Sequence, residues 1–197
     1  MILKGFKENS IKKKLNDVLK TSNPLGENKI INSVGVIFNA DEVNDFEMFK
    51  TLSENLNIRP NKLKIIAFTE NKKENIFSWN VCFNPKDIGW KGKINNVELE
   101  TFLKTDFDLL ISYYSKSVLE LKLLTALSKA KFKAGIFKDD ERLNDLIVGT
   151  RIDEFSEFKK ELKKFKLNKI KFIIIWCFQK YVKKEFIFEI NLGNTIN

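Results

Sequence analysis

Short runs of consecutive apolar residues are spaced along the chain and bounded by polar residues. Apolar side chains at successive positions are typical of strands covered on both faces of a sheet. The runs that predict such strands lie at 33–39, 62–68, 107–114 and 131–137. Two less regular stretches, 77–83 and 145–148, predict shorter strands, the second at an edge of the sheet.

Between these runs, apolar residues recur at every third or fourth position, which is the spacing of a helix with one buried face. In 41–58, Val43, Phe49 and Leu56 share one face, and acidic residues in the first turn favour a helix start there. The predicted helices lie at 6–20, 41–58, 96–105, 116–130 and 153–171.

This alternation of strands and helices predicts the fold class, because helices that connect parallel strands cover both faces of the sheet. We predict an α/β protein, a Rossmann-like three-layer sandwich with a mostly parallel sheet. With 197 residues, 43% of them hydrophobic, the chain can form one such core. We divide it into a basic N-terminal helix and linker (1–28), the Rossmann-like domain (29–168) and an apolar, basic C-terminal extension (169–197).

The net charge of +9 belongs to the two ends of the chain. Residues 1–20 carry six lysines against two acids, and residues 151–197 carry eleven basic residues against six acidic ones. A nucleic-acid reader is basic on its folded face and relies on arginine, of which the chain has three. We therefore expect no nucleic-acid partner. The lysine-rich ends leave an anionic membrane surface open as an alternative.

Missing residue types exclude several chemistries. The chain has no histidine, which excludes Ser-His-Asp and Cys-His catalysis and histidine metal sites. Cys82 and Cys177 are isolated in the sequence and indicate neither a disulfide framework nor a zinc motif. The N-terminus lacks an apolar signal core, and the longest uncharged apolar run is too short to span a membrane. We expect a reduced, cytoplasmic protein.

Ligands of parallel sheets bind at the carboxyl ends of the strands, so the loop after each strand is a candidate site. The loop after the first strand has no glycine, and its acids Asp41, Glu42 and Asp45 repel phosphate. We therefore predict no tightly bound dinucleotide, no zinc and no other cofactor. The favoured interpretation of this loop is that Asp41 or Asn44 caps the following helix.

The loop after 107–114 is a candidate anion-binding site, formed by Ser115, Lys116 and Ser117. Free backbone N–H groups and the helix dipole at a helix N-terminus attract anions. The alternative, that Ser115 is a plain helix cap, explains the same residues and is favoured.

A candidate magnesium site consists of Asp41, after the first strand, and Asp139 and Asp140, after the strand at 131–137. Carboxylates that meet at one sheet edge suit Mg²⁺, which prefers oxygen ligands. Nothing in the sequence fixes their spacing, so a solvated acidic turn is the favoured alternative.

A loop with the sequence NPKDIGWKG, at 84–92, is a candidate interaction surface. An exposed tryptophan offers a large contact area at low entropic cost. The alternative is that the ring folds back over the core, which is the commoner arrangement. The candidate interaction residues are Asn84, Pro85, Lys86, Asp87, Gly89 and Trp90.

Several segments together resemble a family of small Bacteroidota proteins, a domain of unknown function numbered 6913. The segments are SVGVIFNADEVNDFEMF, RPNKLKIIAF, CFNPKDIGWKGKI, FDLLISYYSKSVLELKLLTALSKAKFKAGI and ERLNDLIV. The resemblance covers about residues 1–168, and CFNPKDIGW is its most specific part. It implies a compact Rossmann-like protein and brings no known activity or catalytic residues.

A second, local likeness concerns the stretch from FDLLIS to LLTALSKAKFKAGIF. It is similar to the N-terminal half of heptosyltransferase-type glycosyltransferases. Those enzymes need a second Rossmann domain for the nucleotide sugar, for which this chain is too short. We attribute the likeness to shared strand–helix–strand physics.

Three classes of function fit these observations. We favour a non-catalytic binding or interaction module. The alternatives are a remnant of a magnesium-dependent or glycosyltransferase-related enzyme, and a peripheral binder of nucleic acid or anionic membranes through the lysine-rich ends. Because residues 169–197 carry bulky apolar groups on both sides, we expect them to be a removable appendage that contacts a protein partner, a second copy or a membrane surface.

Overall fold

The structure is a computed structural model and describes residues 2–21, 31–70 and 81–164. Its helices are α1 (Ile2–Thr21), α2 (Glu47–Asn55), α3 (Val97–Lys104), α4 (Leu119–Leu127) and α5, which begins at residue 155 and is described to residue 164. Its strands are β1 (Val34–Asn39), β2 (Leu63–Phe68), β3 (Val81–Phe83), β4 (Leu109–Tyr113), β5 (Lys133–Gly135) and β6 (Leu146–Ile147).

The strands form one sheet in the order β3-β2-β1-β4-β5-β6, and every described pair is parallel. β1 is central, with Val34 opposite Leu63 of β2 on one side and Leu109 of β4 on the other. The four long apolar runs of the sequence are adjacent as β2, β1, β4 and β5. This strand order is that of doubly wound Rossmann folds. The predicted Rossmann-like α/β sandwich is confirmed.

One face of the sheet is covered by α1, α3 and α4. Ile37 of β1 and Leu110 of β4 belong to one buried cluster with Ile11 of α1, Phe102 of α3 and Leu124 of α4. The apolar faces of these three helices therefore pack in the same core, as their helical spacing predicts.

The opposite face carries an aromatic cluster formed by the sheet, α2 and α5. The ring of Phe49 in α2 lies 5.3 Å from Phe38, 5.7 Å from Tyr113 and 5.4 Å from Phe155, measured between ring centroids. Phe158 lies 5.3 Å from Tyr113. Both sheet faces are thus covered by helices, as expected for a sheet whose central strands are apolar at successive positions.

The N-terminal helix packs into this core. Its Ile11, Leu15 and Leu19 are all buried. The chain divides into two compact units, residues 1–159 and residues 160–197. The predicted linker and the predicted extension at 169–197 lie outside the described residues. No helix of the described residues is long and apolar enough to cross a bilayer.

The second helix begins later than its spacing predicts, at Glu47 and not at residue 41. The backbone carbonyl of Asn39 accepts hydrogen bonds from the N–H groups of Glu42 and Val43, which forms a turn directly after β1. The Asp45 carboxylate then accepts from the N–H of Glu47 at 2.9 Å. The predicted cap at Asp41 or Asn44 is therefore wrong. The helix begins two residues after Asp45, whose carboxylate accepts from its first N–H group.

Candidate functional site

The direction of winding changes between β1 and β4, because the chain runs to β2 and β3 on one side and to β5 and β6 on the other. In doubly wound sheets, the crevice at the carboxyl ends of these two strands is where ligands bind. It is bordered here by the loop after Asn39, which ends β1, and by the loop after Tyr113, which ends β4. These two loops hold the first candidate ligand groups.

The carboxylate of Glu42 occupies this position. It accepts hydrogen bonds from the backbone N–H of Ser115 at 3.2 Å and of Lys116 at 3.3 Å. The Ser115 hydroxyl donates a further, short hydrogen bond to it, and the side-chain amide of Asn39 donates another at 2.9 Å. A carboxylate of the protein itself thus sits at the N–H groups that would hold an external anion.

Two of the three residues predicted to bind an anion therefore lie together in the structure. Ser115 and Lys116 gather around an anionic group, and that group is Glu42. Ser117 lies outside this arrangement, because its hydroxyl accepts a hydrogen bond from a lysine of α4 at 3.0 Å. Ser115 does not cap α4 either, since the helix begins at Leu119.

The turn after β1 places Glu42 in the crevice. The Asn39 carbonyl accepts from the N–H groups of Glu42, at 3.1 Å, and Val43, at 3.0 Å, and Val43 is buried. The sequence did indicate that acids follow β1 and that they repel phosphate from the carboxyl end of this strand. That one of them binds the loop after β4 depends on a contact between residues 73 positions apart, which no local pattern reveals.

Replacing Glu42 is expected to weaken the fold and to free the site. Glu42→Ala should lower the free energy of unfolding by about 1–2 kcal/mol, because hydrogen bonds to a charged group at a half-buried position are lost. The N–H groups of Ser115 and Lys116 then lack this acceptor, so inorganic phosphate should raise the melting temperature of the variant more than that of the wild type. Thermal unfolding at constant ionic strength measures both effects.

The control is Glu47→Ala, because the Glu47 carboxylate forms an exposed ion pair with Lys50 on α2. Exposed pairs of this kind contribute little, so stability should change by less than about 0.5 kcal/mol. The control should also respond to phosphate as the wild type does. An equal phosphate response of Glu42→Ala and the wild type would contradict the occupied-site interpretation.

The three candidate magnesium ligands have different surroundings in the structure. Asp41 accepts hydrogen bonds from the Thr69 hydroxyl and the Glu70 N–H, both at 2.8 Å. Asp140 is paired with Arg142 at 2.7 Å, and the guanidinium holds the pKa of the Asp140 carboxyl below its usual value. Asp139 is exposed. Across residues 2–21, 31–70 and 81–164, no three acidic or cysteine side chains are placed to hold a metal.

The loop at 84–96, which contains Trp90, is fixed by its own hydrogen bonds. Asn84 and Asp87 form a reciprocal cap, in which the Asn84 side chain accepts from Lys86 N–H at 2.9 Å and the Asp87 carboxylate accepts from Asn84 N–H at 2.8 Å. The N–H of Gly89 donates to the carbonyl of Lys93 at 2.7 Å. The predicted interaction residues therefore belong to one ordered loop.

The same loop is attached to α1. Lys7 Nζ donates to the carbonyl of Pro85 at 3.1 Å, and the N–H of Lys91 donates to the hydroxyl of Ser10 at 3.0 Å. Gly92 follows with φ of 72°, and a Cβ there would lie 3.0 Å from a methyl group of Leu123 in α4. A glycine is therefore needed where the loop turns and packs closely against α4.

Trp90 remains 51% exposed at the surface of this loop, so it is not a closed lid over the core. The other large apolar side chains that the described residues expose are Leu3, at 74%, Phe6, at 60%, and Val97, at 76%. Leu3 and Phe6 lie on the first turns of α1, just before the residues that contact the loop, and Val97 begins α3 directly after the loop. The exposed apolar residues are thus grouped along α1 and this loop.

The sequence patterns missed Leu3 and Phe6 as surface residues. Leu3 continues the four-residue spacing of Ile11, Leu15 and Leu19, and that spacing predicts burial. Spacing does not show where a helix extends beyond its core, and here the buried positions of α1 start at Ile11. The available signal was composition, because two apolar residues stand among lysines at the very start of the helix.

Comparison with known proteins adds one result. A search of curated proteins finds no match. One family model, described as a family of unknown function (DUF6913), matches residues 7–170, which is well over half of the chain and includes the sheet, the Glu42 turn and the Trp90 loop. The chain therefore belongs to the DUF6913 family.

Proposed function

We propose that the protein is a non-catalytic, cytoplasmic interaction module. It binds an acidic protein partner through the α1–Trp90 surface, which we define by Leu3, Phe6 and Trp90. The observation that carries this proposal is that the large exposed apolar side chains of the described residues lie on this loop, directly after it, or on the turns of α1 before the residues that contact it. Grouped apolar side chains on a soluble domain mark an interaction site far more often than scattered ones do.

The ordered backbone of the loop supports a recognition role. Its hydrogen bonds and its attachment to α1 hold Trp90 in place before any partner arrives. A side chain that is already positioned loses little conformational entropy on binding, so more of its contact energy is available for affinity. Tryptophan is also the residue type most enriched among binding hot spots.

The charge around the surface defines the chemistry of the partner. α1 carries six lysines against Glu8 and Asp17, and the loop at 84–96 carries Lys86, Lys91 and Lys93 against Asp87. The Asp87 carboxylate is already engaged with Asn84. A partner with carboxylates around an apolar centre is complementary to this arrangement.

The distribution of apolar residues on α1 favours a protein over a membrane. An amphipathic helix that lies on a bilayer needs a continuous apolar face toward the lipid. In α1, Ile11, Leu15 and Leu19 are buried in the protein core, so the apolar face is already used. The large apolar side chains that α1 still exposes are Leu3 and Phe6, in its first turns, and they are too few to form the continuous face that a bilayer requires.

The Glu42 arrangement supports a role away from the strand ends. The position that binds ligands in related architectures is filled by a carboxylate of the chain itself. The proposed binding surface is formed by other residues.

The experiment is a quantitative binding measurement with designed variants. Proteins that co-purify with the tagged chain from its own cells are expressed, and their affinity for the purified wild type is measured by surface plasmon resonance. Trp90→Ala is expected to weaken binding of a true partner about 30-fold, the loss of a hot-spot tryptophan. Lys91→Glu is expected to slow association and to reduce the salt dependence of binding.

Lys104→Ala is the matched control, since Lys104 is an exposed lysine at the end of α3, and its ion pair with Glu100 lies at the surface. It should bind as the wild type does. The proposal is overturned if Trp90→Ala binds every captured protein with unchanged affinity. It is also overturned if the wild type binds vesicles of phosphatidylserine and phosphatidylcholine through Trp90 while no protein partner depends on that residue.

A further inference from the structure

A cavity of about 640 Å³ lies at the amino ends of β5 and β6. The ends of α1 and α4 form two of its walls, and the residues before β6 form a third. Its volume falls within the range of roughly 300–1,000 Å³ that small-molecule sites occupy. It is too small for a folded partner and large enough for a metabolite.

Lys133, the first residue of β5, lines this cavity and is half-buried. Its Nζ donates to the carbonyls of Thr125, at 2.8 Å, and Ala126, at 3.2 Å, near the end of α4. An ammonium group has three N–H donors, so one remains for a further acceptor. Burial lowers the pKa of Lys133 to about 8, while the nearby Asp145 carboxylate acts in the opposite direction.

Other donors line the same cavity. Lys129 is exposed at the end of α4, and the Ser128 hydroxyl accepts from the N–H of Ala130 at 3.3 Å, which leaves its proton free to donate. The side-chain nitrogen of Asn144 is buried beside Gly135 and is not open to the cavity, so the donors available to a ligand are those of Lys133, Lys129 and Ser128.

The lining also carries charged side chains and an apolar wall. Its basic side chains are Lys129, Lys131, Lys133 and Arg142, and its acidic ones are Glu141 and Asp145. Lys131 is paired with Asp108, and Arg142 with Asp140. Lys129 and Lys133 are left for a ligand. Leu19 of α1 and Leu143 contribute apolar surface beside them.

We propose that this cavity binds a small amphipathic anion. A carboxylate or phosphate head accepts hydrogen bonds from Lys133 and Lys129, and an apolar body lies against Leu19 and Leu143. The site is separate from the α1–Trp90 surface and does not depend on the function proposed for that surface. It also differs from the usual Rossmann crevice, which lies at the carboxyl ends of β1 and β4 and is filled by Glu42.

The test is a titration of the ¹⁵N-labelled full chain, followed by two-dimensional NMR. The probes are octanoate and octyl phosphate, each below its critical micelle concentration, with octanol and inorganic phosphate as half-probes. We expect saturable shifts in the amide signals of residues 128–133 and 143–145 with either whole probe. The half-probes should bind at least about tenfold more weakly, because each lacks one of the two contacts. A tighter fit to one head group identifies the carboxylate or the phosphate as the natural class.

Two variants test the residues. Lys133→Met keeps the length of the side chain and removes the donor, and it should weaken binding about tenfold or more, the loss of a charged hydrogen bond. Lys129→Met tests the rim and remains informative if Lys133→Met fails to fold. Lys104→Met, which does not line the cavity, should bind as the wild type does.

Three results would overturn the proposal. The first is the absence of saturable shifts with both whole probes. The second is a shift pattern that maps away from the cavity. The third is binding that is unchanged by both lining variants or matched by octanol, which would show an apolar groove without anion recognition.

Discussion

Gly135→Ala is expected to lower the free energy of unfolding by about 3–5 kcal/mol. Gly135 lies in β5 directly opposite Ser112 of β4. A Cβ at this position would lie 2.6 Å from the Ser112 carbonyl oxygen and 2.8 Å from the Asn144 side-chain nitrogen, and closer still to the Ser112 hydroxyl. Distances under 3.0 Å essentially never occur for a Cβ, so the neighbours have to move.

These neighbours have little room to move. The Ser112 carbonyl belongs to the backbone of a strand that is paired on both sides. The Ser112 hydroxyl donates to Asn144 Oδ1 at 2.7 Å, and both residues are buried. Overpacking a core costs about 1–3 kcal/mol, and breaking a buried hydrogen bond adds about 1–3 kcal/mol. The two effects act together here, which gives the expected magnitude.

Chemical denaturation followed by circular dichroism measures this change. Gly5→Ala is the control, since Gly5 lies in α1 with nothing within 4 Å of the added Cβ. An alanine in a helix is more favourable than glycine, so this variant should gain up to about 1 kcal/mol. If Gly135→Ala is as stable as the wild type, β4 and β5 are not paired in this register.

The sheet could be predicted from the sequence because its signal is local. β1 and β4 are buried at every position, and their apolar runs stand between polar segments. Such a run has few alternatives to a strand covered on both faces. The alternation with helical stretches then allows one class of fold, and that class was confirmed.

The polar contacts between strands could not be predicted in the same way. Ser112 and Asn144 are 32 residues apart, and Glu42 and Ser115 are 73 residues apart. Each pair forms only because the sheet order places their strands or loops together. A local pattern contains no information about such pairs, and so the candidate anion residues were identified without their occupant.

The α1–Trp90 surface was likewise predictable only in its local part. The loop with Trp90 was recognised from its proline and glycine residues, which mark an ordered turn-rich segment. Its attachment to α1 through Ser10 and Lys7 is a tertiary contact. Without that contact, neither Leu3 nor Phe6 could be assigned to the same surface. The loop could therefore be identified from its composition, whereas the residues of α1 beside it could be identified only from the structure.

Phe49→Ala is expected to lower the free energy of unfolding by about 3–5 kcal/mol, the usual cost of removing a buried phenylalanine. Phe49 is 1% exposed and lies at the centre of the aromatic cluster, with Phe38, Tyr113 and Phe155 around it. Its truncation removes a large part of the apolar contact that α2 makes and breaks three ring–ring contacts at once. The surrounding rings are too rigid to close the resulting cavity.

Phe49→Leu should cost less than Phe49→Ala, because most of the volume is retained while the ring geometry is lost. Glu54→Ala on the exposed side of α2 is the control and should change stability by less than about 0.5 kcal/mol, since alanine is at least as good a helix former. Urea unfolding of the four proteins gives the three differences. A loss below about 1 kcal/mol for Phe49→Ala would mean that α2 does not hold this face of the sheet, and that α5 and the sheet alone account for its stability.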